Sequence, residues 1–188
     1  MEQTVRFHPL QLGSFEHGWS GTALGTWENA NLTDEEKQLC DTALWKAMDV
    51  VMKVPEPTKT WGLIHADLRP SNVIRGNDGR LTVIDFDDAG YSWYLYDYAS
   101  SLSFIEHEPY APDLAKAWVK GYQRVAGSFT DEELRIMSAL SMIRRMQMLG
   151  WTTSHREDAL PDGLAAQQAP GSVMCAKNYL EDPLWLLH

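Results

Sequence analysis

The chain has 188 residues, 44% of them apolar, and its 26 acidic and 16 basic side chains give a formal charge of −10. This length and apolar content suffice for one domain with its own core, and the excess of acid argues against a protein that follows a nucleic-acid backbone. Cys40 and Cys175 show no metal-ligand spacing, and no apolar run approaches the roughly 20 residues of a membrane helix. We therefore expect a cytoplasmic protein that contacts neither nucleic acid nor membrane.

The first predicted element is a helix that follows an irregular stretch. Residues 1–32 carry scattered glycines and aromatic residues without a clear period, and we interpret them as an irregular approach segment. Thr33-x-x-Glu36 then has the spacing of a capping box. Pro55 and Pro57 are expected to end the helix. Apolar residues recur every four positions between these points, at Leu39, Ala43, Ala47 and Val51.

Three short strand signals follow, and two of them favour a hairpin. Residues 61–64 are apolar and precede a polar loop, while residues 72–75 and 81–84 flank a spacer, residues 76–79, that is rich in turn formers. The pattern after residue 91 is helical, except for a predicted loop over residues 161–172. The predicted fold class is α+β and mostly helical, with a small β-hairpin that presents the polar loops.

Polar residues that suit phosphoryl transfer collect in the loop and at the end of the hairpin. Asp67 and Asn72 lie five positions apart on the loop, and Asp85 comes thirteen residues later, where the second hairpin strand ends. Transfer from a nucleotide needs a carboxylate that orients the attacking hydroxyl, and oxygen ligands that hold magnesium against the phosphates. Because the hairpin returns Asp85 toward Asn72, the three side chains can face one cavity.

The same stretch resembles a known family. Residues 65–72 read HADLRPSN and are followed by a strand, a turn and IDF at residues 84–86, which is similar to the catalytic and metal loops of protein-kinase-like enzymes. Ala66 replaces the arginine of eukaryotic protein kinases, and Asp87 stands where their metal motif has glycine. Both departures point to the aminoglycoside phosphotransferase and choline kinase-like branch. The resemblance implies that residues 33–188 form the C-terminal catalytic lobe of a kinase-like fold.

The resemblance also implies roles for individual residues. Asp67 would be the catalytic base, and Asn72 and Asp85 would hold the Mg²⁺ that accompanies ATP or GTP. His65 resembles the catalytic-loop histidine that braces the loop without shuttling protons. Asp97, in a Tyr-Asp pair typical of this branch, would accept hydrogen bonds from the loop backbone. The implied reaction phosphorylates a hydroxyl of a small molecule such as an aminoglycoside, choline, homoserine or a sugar.

Acidic residues after the metal motif are candidates for binding a cationic acceptor. Asp87, Asp88 and Glu106 are expected to form an acidic wall that faces an aminated substrate. The alternative is that these carboxylates lie at solvated helix ends, where they cap the backbone.

An N-terminal lobe is the part of such an enzyme that the sequence does not show. Only 64 residues precede the catalytic loop, without a recognisable glycine-rich phosphate loop or strand lysine. We expect that lobe to be supplied in cis or in trans, with residues 1–32 as the remnant of the connection, and the lone lobe to transfer phosphate poorly or not at all. The competing hypothesis is a non-catalytic, kinase-derived binding or regulatory module. An aspartyl-phosphate phosphatase that uses Asp85 and Asp87 is disfavoured, because no threonine follows them.

Overall fold

The computed structural model describes residues 26–54, 60–154, 161 and 163–188. Two predicted features lie outside the described residues: the prolines expected to end the first helix, Pro55 and Pro57, and most of the approach segment. In chain order the helices and strands are α1 (Asp34–Met52), β1 (Trp61–Ile64), β2 (Val73–Arg75), β3 (Leu81–Val83), β4 (Gly90–Trp93), α2 (Tyr96–Ser101), α3 (Ala111–Ala126), α4 (Asp131–Ser154) and α5 (Leu164–Glu181).

The start of α1 confirms the predicted capping box. The Thr33 hydroxyl accepts the N–H of Glu36 at 3.2 Å, and Glu36 Oε2 accepts the N–H of Thr33 at 2.8 Å. These two bonds satisfy donors that the first turn of a helix leaves unpaired. The predicted apolar face is buried at Ala43, Ala47 and Val51, so α1 packs on the core through the face that the sequence indicates.

Helix α4 is the centre of the helical core. It packs against α1, α2 and α5, and every residue from Ile136 to Gly150 is buried. A surface helix would expose one polar face, whereas α4 buries polar side chains as well, among them Arg144 and Arg145. Among the described helices, none combines the length and the apolar character that crossing a bilayer requires.

The strands form two separate antiparallel pairs beside this core. Strands β2 and β3 make the predicted hairpin, with Val73 opposite Val83. Its turn closes through the N–H of Gly79, which bonds the Gly76 carbonyl at 3.0 Å, and Gly79 has the positive φ of 80° that glycine adopts without strain. Strand β1 pairs with β4, so the segment that carries the catalytic loop is tied to the segment that follows the metal motif.

Two sequence-based expectations are corrected here. Residues 90–93 form β4, although the pattern at this point predicts no strand, because their partner β1 lies about thirty residues earlier and a local pattern cannot show it. The predicted loop over residues 161–172 is wrong beyond Gly163, since α5 begins at Leu164 and continues through Pro170. Tertiary packing of this segment against α1 and α4 outweighs the turn-forming residues within it.

Candidate active site

The loop of residues 65–72 is held by hydrogen bonds to α2. Asp97 accepts the N–H of His65 at 3.0 Å with one carboxylate oxygen and the N–H of Ala66 at 2.8 Å with the other. One turn later, the hydroxyl of Ser100 accepts the N–H of Leu68 at 3.0 Å. Burial raises the pKa of Asp97, and the two backbone hydrogen bonds lower it in part. The predicted contact between Asp97 and the loop backbone is therefore present.

His65 links the loop to the end of the hairpin. Its Nδ1 accepts the N–H of Asp67 at 3.2 Å, and its Nε2 lies 2.9 Å from the carbonyl oxygen of Ile84. A carbonyl oxygen only accepts, so these two contacts together require the tautomer with its proton on Nε2. The ring of Phe86 lies 4.7 Å from the imidazole. Both ring nitrogens of His65 therefore make hydrogen bonds that hold the loop against the end of the hairpin.

Asp67 is positioned by side chains from two directions. Its Oδ1 accepts from Arg144 Nη2 at 2.8 Å, and its Oδ2 accepts from Asn72 Nδ2 at 3.0 Å. Arg69 contacts both oxygens, each at 3.0 Å. The Asp67 side chain is 13% exposed and lies on the wall of a cavity of about 160 Å³. The cavity is lined by Asp67, Arg69, Asp88, Phe104, Arg144, Met148 and Trp151.

Asn72 and Asp85 lie at the same end of the hairpin. The N–H of Ile84 bonds the carbonyl of Asn72 at 2.9 Å, which continues the β2–β3 pairing by one step. Asp85 comes next and is exposed, with a positive φ of 66°. The side-chain nitrogen of Asn72 donates to the backbone carbonyl of Asp67 at 2.9 Å as well as to its carboxylate. Asn72 Oδ1 is therefore the atom of this amide that is suited to a cation.

The donor set fits a magnesium ion that is completed by phosphate and water. Asn72 supplies an amide oxygen and Asp85 a carboxylate, which are ligand types that Mg²⁺ prefers. In the described part of the chain, no three or more His, Cys, Asp or Glu side chains collect into a group that would hold a metal on its own. Mg²⁺ in nucleotide sites is commonly held by one or two carboxylates together with phosphate oxygens, and the amide of Asn72 and the carboxylate of Asp85 match these ligand types.

The structure separates the three residues of the predicted acidic wall. Asp88 lines the cavity beside Asp67, and Asp87 is exposed without being one of the lining residues. Glu106 is fully buried in the helical core, where its Oε2 lies 2.9 Å from Arg145 Nη1. Burial raises the pKa of Glu106, and the Arg145 charge lowers it in part. The expected position of Glu106 at the substrate surface is therefore corrected.

Arg144 is the residue of the site that the sequence-based reasoning missed. It lies in the middle of α4, 77 positions after Asp67, and its side chain is 2% exposed. Burial lowers the pKa of Arg144, but the neighbouring Tyr96 and Asp67 raise it, and the net shift is upward. The available signal is the Arg144-Arg145 pair inside an otherwise uncharged helical stretch, because a buried guanidinium requires a carboxylate partner elsewhere in the fold.

A comparison with protein-family models places this site in context. Residues 6–136 match the model described as the phosphotransferase enzyme family. The chain belongs to the phosphotransferase enzyme family. The matched range contains the loop, the hairpin and α2, which are the elements that hold Asp67, Asn72, Asp85 and Asp97.

Individual kinases are similar to this phosphotransferase-family chain. The structure of a microcompartment-associated aminopropanol kinase superposes with a TM-score of 0.75 at 30% sequence identity, over 88% of this chain and 52% of that one. An amicoumacin kinase of Bacillus subtilis (strain 168) is 34% identical over 65 residues, which is 35% of this chain and 19% of that kinase.

A second solved structure supports the fold. An amicoumacin kinase in complex with AMP-PNP, Ca²⁺ and Ami superposes with a TM-score of 0.58 at 20% identity, over 85% of this chain and 50% of that one. The chain thus spans about half the length of both solved kinases. The predicted α+β, mostly helical lobe of a kinase-like phosphotransferase is confirmed by these matches.

Proposed function

We propose that this chain is the C-terminal catalytic lobe of a nucleotide-dependent phosphotransferase that phosphorylates a hydroxyl group of a small molecule. One observation carries the proposal: the Asp67 carboxylate lies on a cavity wall and accepts a hydrogen bond from Asn72, whose carbonyl accepts the N–H of Ile84, the residue before Asp85. In this proposal Asp67 is the proton acceptor, and Asn72 and Asp85 supply the two oxygen ligands for a cation.

The residues of the chain have distinct parts in the proposed reaction. Asp67 orients the acceptor hydroxyl and accepts its proton as the oxygen attacks the terminal phosphate. Asn72 and Asp85 would hold Mg²⁺, which when bound neutralises charge on the phosphate oxygens. His65 and Asp97 keep the loop backbone in place, since their hydrogen bonds fix Ala66 and Asp67. Positioning of this kind supplies much of the rate enhancement in phosphoryl transfer.

The cavity favours a small acceptor that carries an amine. Its volume of about 160 Å³ is below the roughly 300–1,000 Å³ of clefts that bury drug-sized ligands, which favours an amino alcohol over an aminoglycoside. Asp88 supplies a carboxylate and Trp151 an aromatic ring that attracts an ammonium group, while the Phe104 ring already faces the Arg69 guanidinium. The name of the aminopropanol kinase relative describes a substrate of this class. Choline, ethanolamine and homoserine-like compounds are the next candidates by size.

The proposed enzyme also needs a second lobe. The chain spans 52% of the aminopropanol kinase that it matches, and we propose that an N-terminal lobe in cis or in trans clamps ATP or GTP against the site. Both cysteines are buried and free, in keeping with a proposed reducing, cytoplasmic location.

The test is single-turnover transfer of labelled phosphate from ATP or GTP, with Mg²⁺, to a panel of amino alcohols, aminoglycosides and sugars. It is run on the 188-residue chain and on the chain joined to any coding sequence upstream of it. Asp67→Ala is expected to reduce transfer by about 10² to 10⁴, the usual contribution of a positioned base.

Asp41→Ala is the control for that variant, because Asp41 is an exposed carboxylate on α1 and its loss should leave transfer unchanged. Transfer that survives in Asp67→Ala at the wild-type rate would remove Asp67 from the role of base.

A further inference from the structure

Arg144 is a buried cation whose contacts end at the proposed catalytic base. Arg144 lies in the middle of α4, the helix at the centre of the core, and its guanidinium reaches Oδ1 of Asp67 at 2.8 Å. A guanidinium this deep in a helical core is tolerated only when carboxylate and hydrogen-bond partners surround it. The hydrogen-bond partners of Arg144 therefore identify the side chains that are attached to the core through this residue.

Each of the three guanidinium nitrogens donates to a different side chain. Nε donates to the hydroxyl of Ser103 at 2.9 Å, and Nη1 donates to the hydroxyl of Tyr96 at 3.1 Å. The Tyr96 hydroxyl in turn donates to Gln147 Oε1 at 2.7 Å. Because the guanidinium is planar, fixing Nε and Nη1 also fixes Nη2, which lies 2.8 Å from Asp67 Oδ1.

Arg69, the other arginine on Asp67, is held much less firmly. It lies on the catalytic loop itself with a side chain 32% exposed, and its guanidinium rests over the ring of Phe104 at 5.4 Å. An arginine on the same loop moves with Asp67 and cannot fix it relative to the core. Arg144 is anchored to a different element, so it can.

We propose that Arg144 is a positioning residue that fixes the Asp67 carboxylate from the helical core, so that its orientation toward the cavity is set by α4. Asn72 holds Oδ2 from the loop side, and Arg144 holds Oδ1 from the opposite side. A carboxylate offers about four acceptor sites. Asn72 and Arg144 take one on each oxygen, and the remaining sites face the partly exposed Arg69, which must turn away before an acceptor hydroxyl can bind. The inference rests on the proposed function only in naming Asp67 as the base.

The neighbouring Arg145 provides a matched control. It is as buried as Arg144, also pairs with a carboxylate, at 2.9 Å from Glu106, and also bonds a serine hydroxyl, that of Ser172, at 2.9 Å. None of its hydrogen bonds described here reaches Asp67. Arg144→Met and Arg145→Met therefore each remove one buried cation of α4, and only the first removes a contact to Asp67.

The kinetic experiment compares these variants in whichever form of the protein transfers phosphate. Arg144→Met is expected to lower kcat by about 10²-fold, the effect of misplacing a reacting group by roughly 1 Å, with the KM for nucleotide unchanged. Arg145→Met should keep kcat once the rate is corrected for the folded fraction. In the background of Asp67→Asn, Arg144→Met should cause no further loss, because it acts through Asp67. Additive losses, or equal kcat losses in the two arginine variants, would overturn the proposal.

A second readout needs no turnover. Three-bond couplings from the backbone nitrogen and from the carbonyl carbon of Asp67 to its Cγ report the χ1 rotamer of Asp67 in solution. Wild type and Arg145→Met should show one rotamer, and Arg144→Met should show averaged couplings. Arg144→Lys keeps the charge but cannot contact Ser103, Tyr96 and Asp67 together. Its Asp67 couplings should lie between those of wild type and Arg144→Met, and it replaces Arg144→Met in the experiment if the Met variant does not fold.

The two readouts separate the two claims. Absence of transfer both from the 188-residue chain and from the chain joined to its upstream coding sequence would count against the proposed function, while the Asp67 couplings would still decide the positioning claim. A single Asp67 rotamer in both Arg144 variants would overturn that claim whatever the activity.

Discussion

Asp97 and Ala66 show how individual residues shape the catalytic loop. Ala66 is buried and has a φ of 66°, a left-handed conformation that costs a non-glycine residue of order 1–3 kcal/mol. Glycine adopts that φ without strain. The Asp97 hydrogen bond to the Ala66 N–H, at 2.8 Å, helps to keep the strained residue in place.

A first prediction at this scale concerns Asp97→Asn. An amide has a single acceptor oxygen, so one of the two loop N–H groups loses its partner, and we expect the amide of His65 or Ala66 to exchange about tenfold faster. The measurement is native-state hydrogen exchange by NMR. Asp41→Asn, an exposed carboxylate on α1, is the control and should leave those two amides unchanged.

The same variant has an expected effect on the pH dependence of stability. Burial raises the pKa of Asp97 above its ordinary value of 3.8, so the folded wild type binds this proton more tightly than the unfolded chain. Its contribution to the free energy of unfolding is present below pH 3.8 and is lost as the pH rises through the raised pKa. Urea unfolding across this range should show the loss in wild type and not in Asp97→Asn. Parallel curves for the two proteins would contradict the assignment.

At the scale of elements, the packing of α5 on α4 depends on a glycine. A Cβ added at Gly171 would lie 2.5 Å from Arg145 Nη2 and 2.7 Å from His107 Cγ. Arg145 cannot move aside cheaply, because it is bonded to Glu106, Ser172 and the carbonyl of Gln168. Close approach of the two helices at this point therefore requires a residue without a side chain.

Gly171→Ala is expected to lower the free energy of unfolding by about 1–3 kcal/mol, the usual cost of forcing extra volume into a packed core. Gly121→Ala is the matched control, because Gly121 lies inside α3 with nothing within 4 Å of an added Cβ. Alanine there should raise stability by roughly 0.5–1 kcal/mol through helix propensity. Chemical denaturation of both variants gives the comparison, and a neutral Gly171→Ala would mean that the helices have room to separate.

The elements also show what the sequence can and cannot reveal. The capping box at Thr33 and the hairpin around residues 76–79 are local signals, and both are present in the structure. Strand β4 exists because it pairs with β1, and the Arg144 contact joins residues 77 positions apart. Interactions at such separations leave no periodic trace in one sequence, so the loop of the candidate site could be predicted and its support from α4 could not.

Glu106 illustrates the same limit from the opposite side. Its position after the metal motif predicts a carboxylate at the substrate surface, but Arg145 binds it inside the core. Arg145 would be left unpaired among apolar residues without a carboxylate, and only the fold shows that Glu106 supplies it. Charged residues in a predicted core helix are thus a reason to look for distant partners before assigning acidic residues to a binding site.

At the scale of the whole molecule, the structure is a helical core that carries a strand-and-loop face. The core is centred on α4, and the loop of residues 65–72 lies beside it, with Asp67 bonded to Arg144 and lining the cavity. Asn72 and Asp85, at the end of the hairpin, are not among the residues that line this cavity. Family membership and the 0.75 TM-score to the aminopropanol kinase agree with this arrangement. The account depends on Asn72 and Asp85 forming, at that place, a metal-dependent nucleotide site.

Calorimetric titration of the chain with AMP-PNP, in the presence and absence of Mg²⁺, tests this claim most directly. We expect binding that requires Mg²⁺ and weakens at least tenfold in Asp85→Asn, since a ligand carboxylate is lost. Asp78→Asn is the control, because Asp78 is a carboxylate in the turn at the far end of the same hairpin, paired with Arg80 at 2.8 Å, and it should bind as wild type does. Binding that is independent of Mg²⁺, equal in Asp85→Asn, or absent from the wild type would contradict the account, and absence would favour the non-catalytic module.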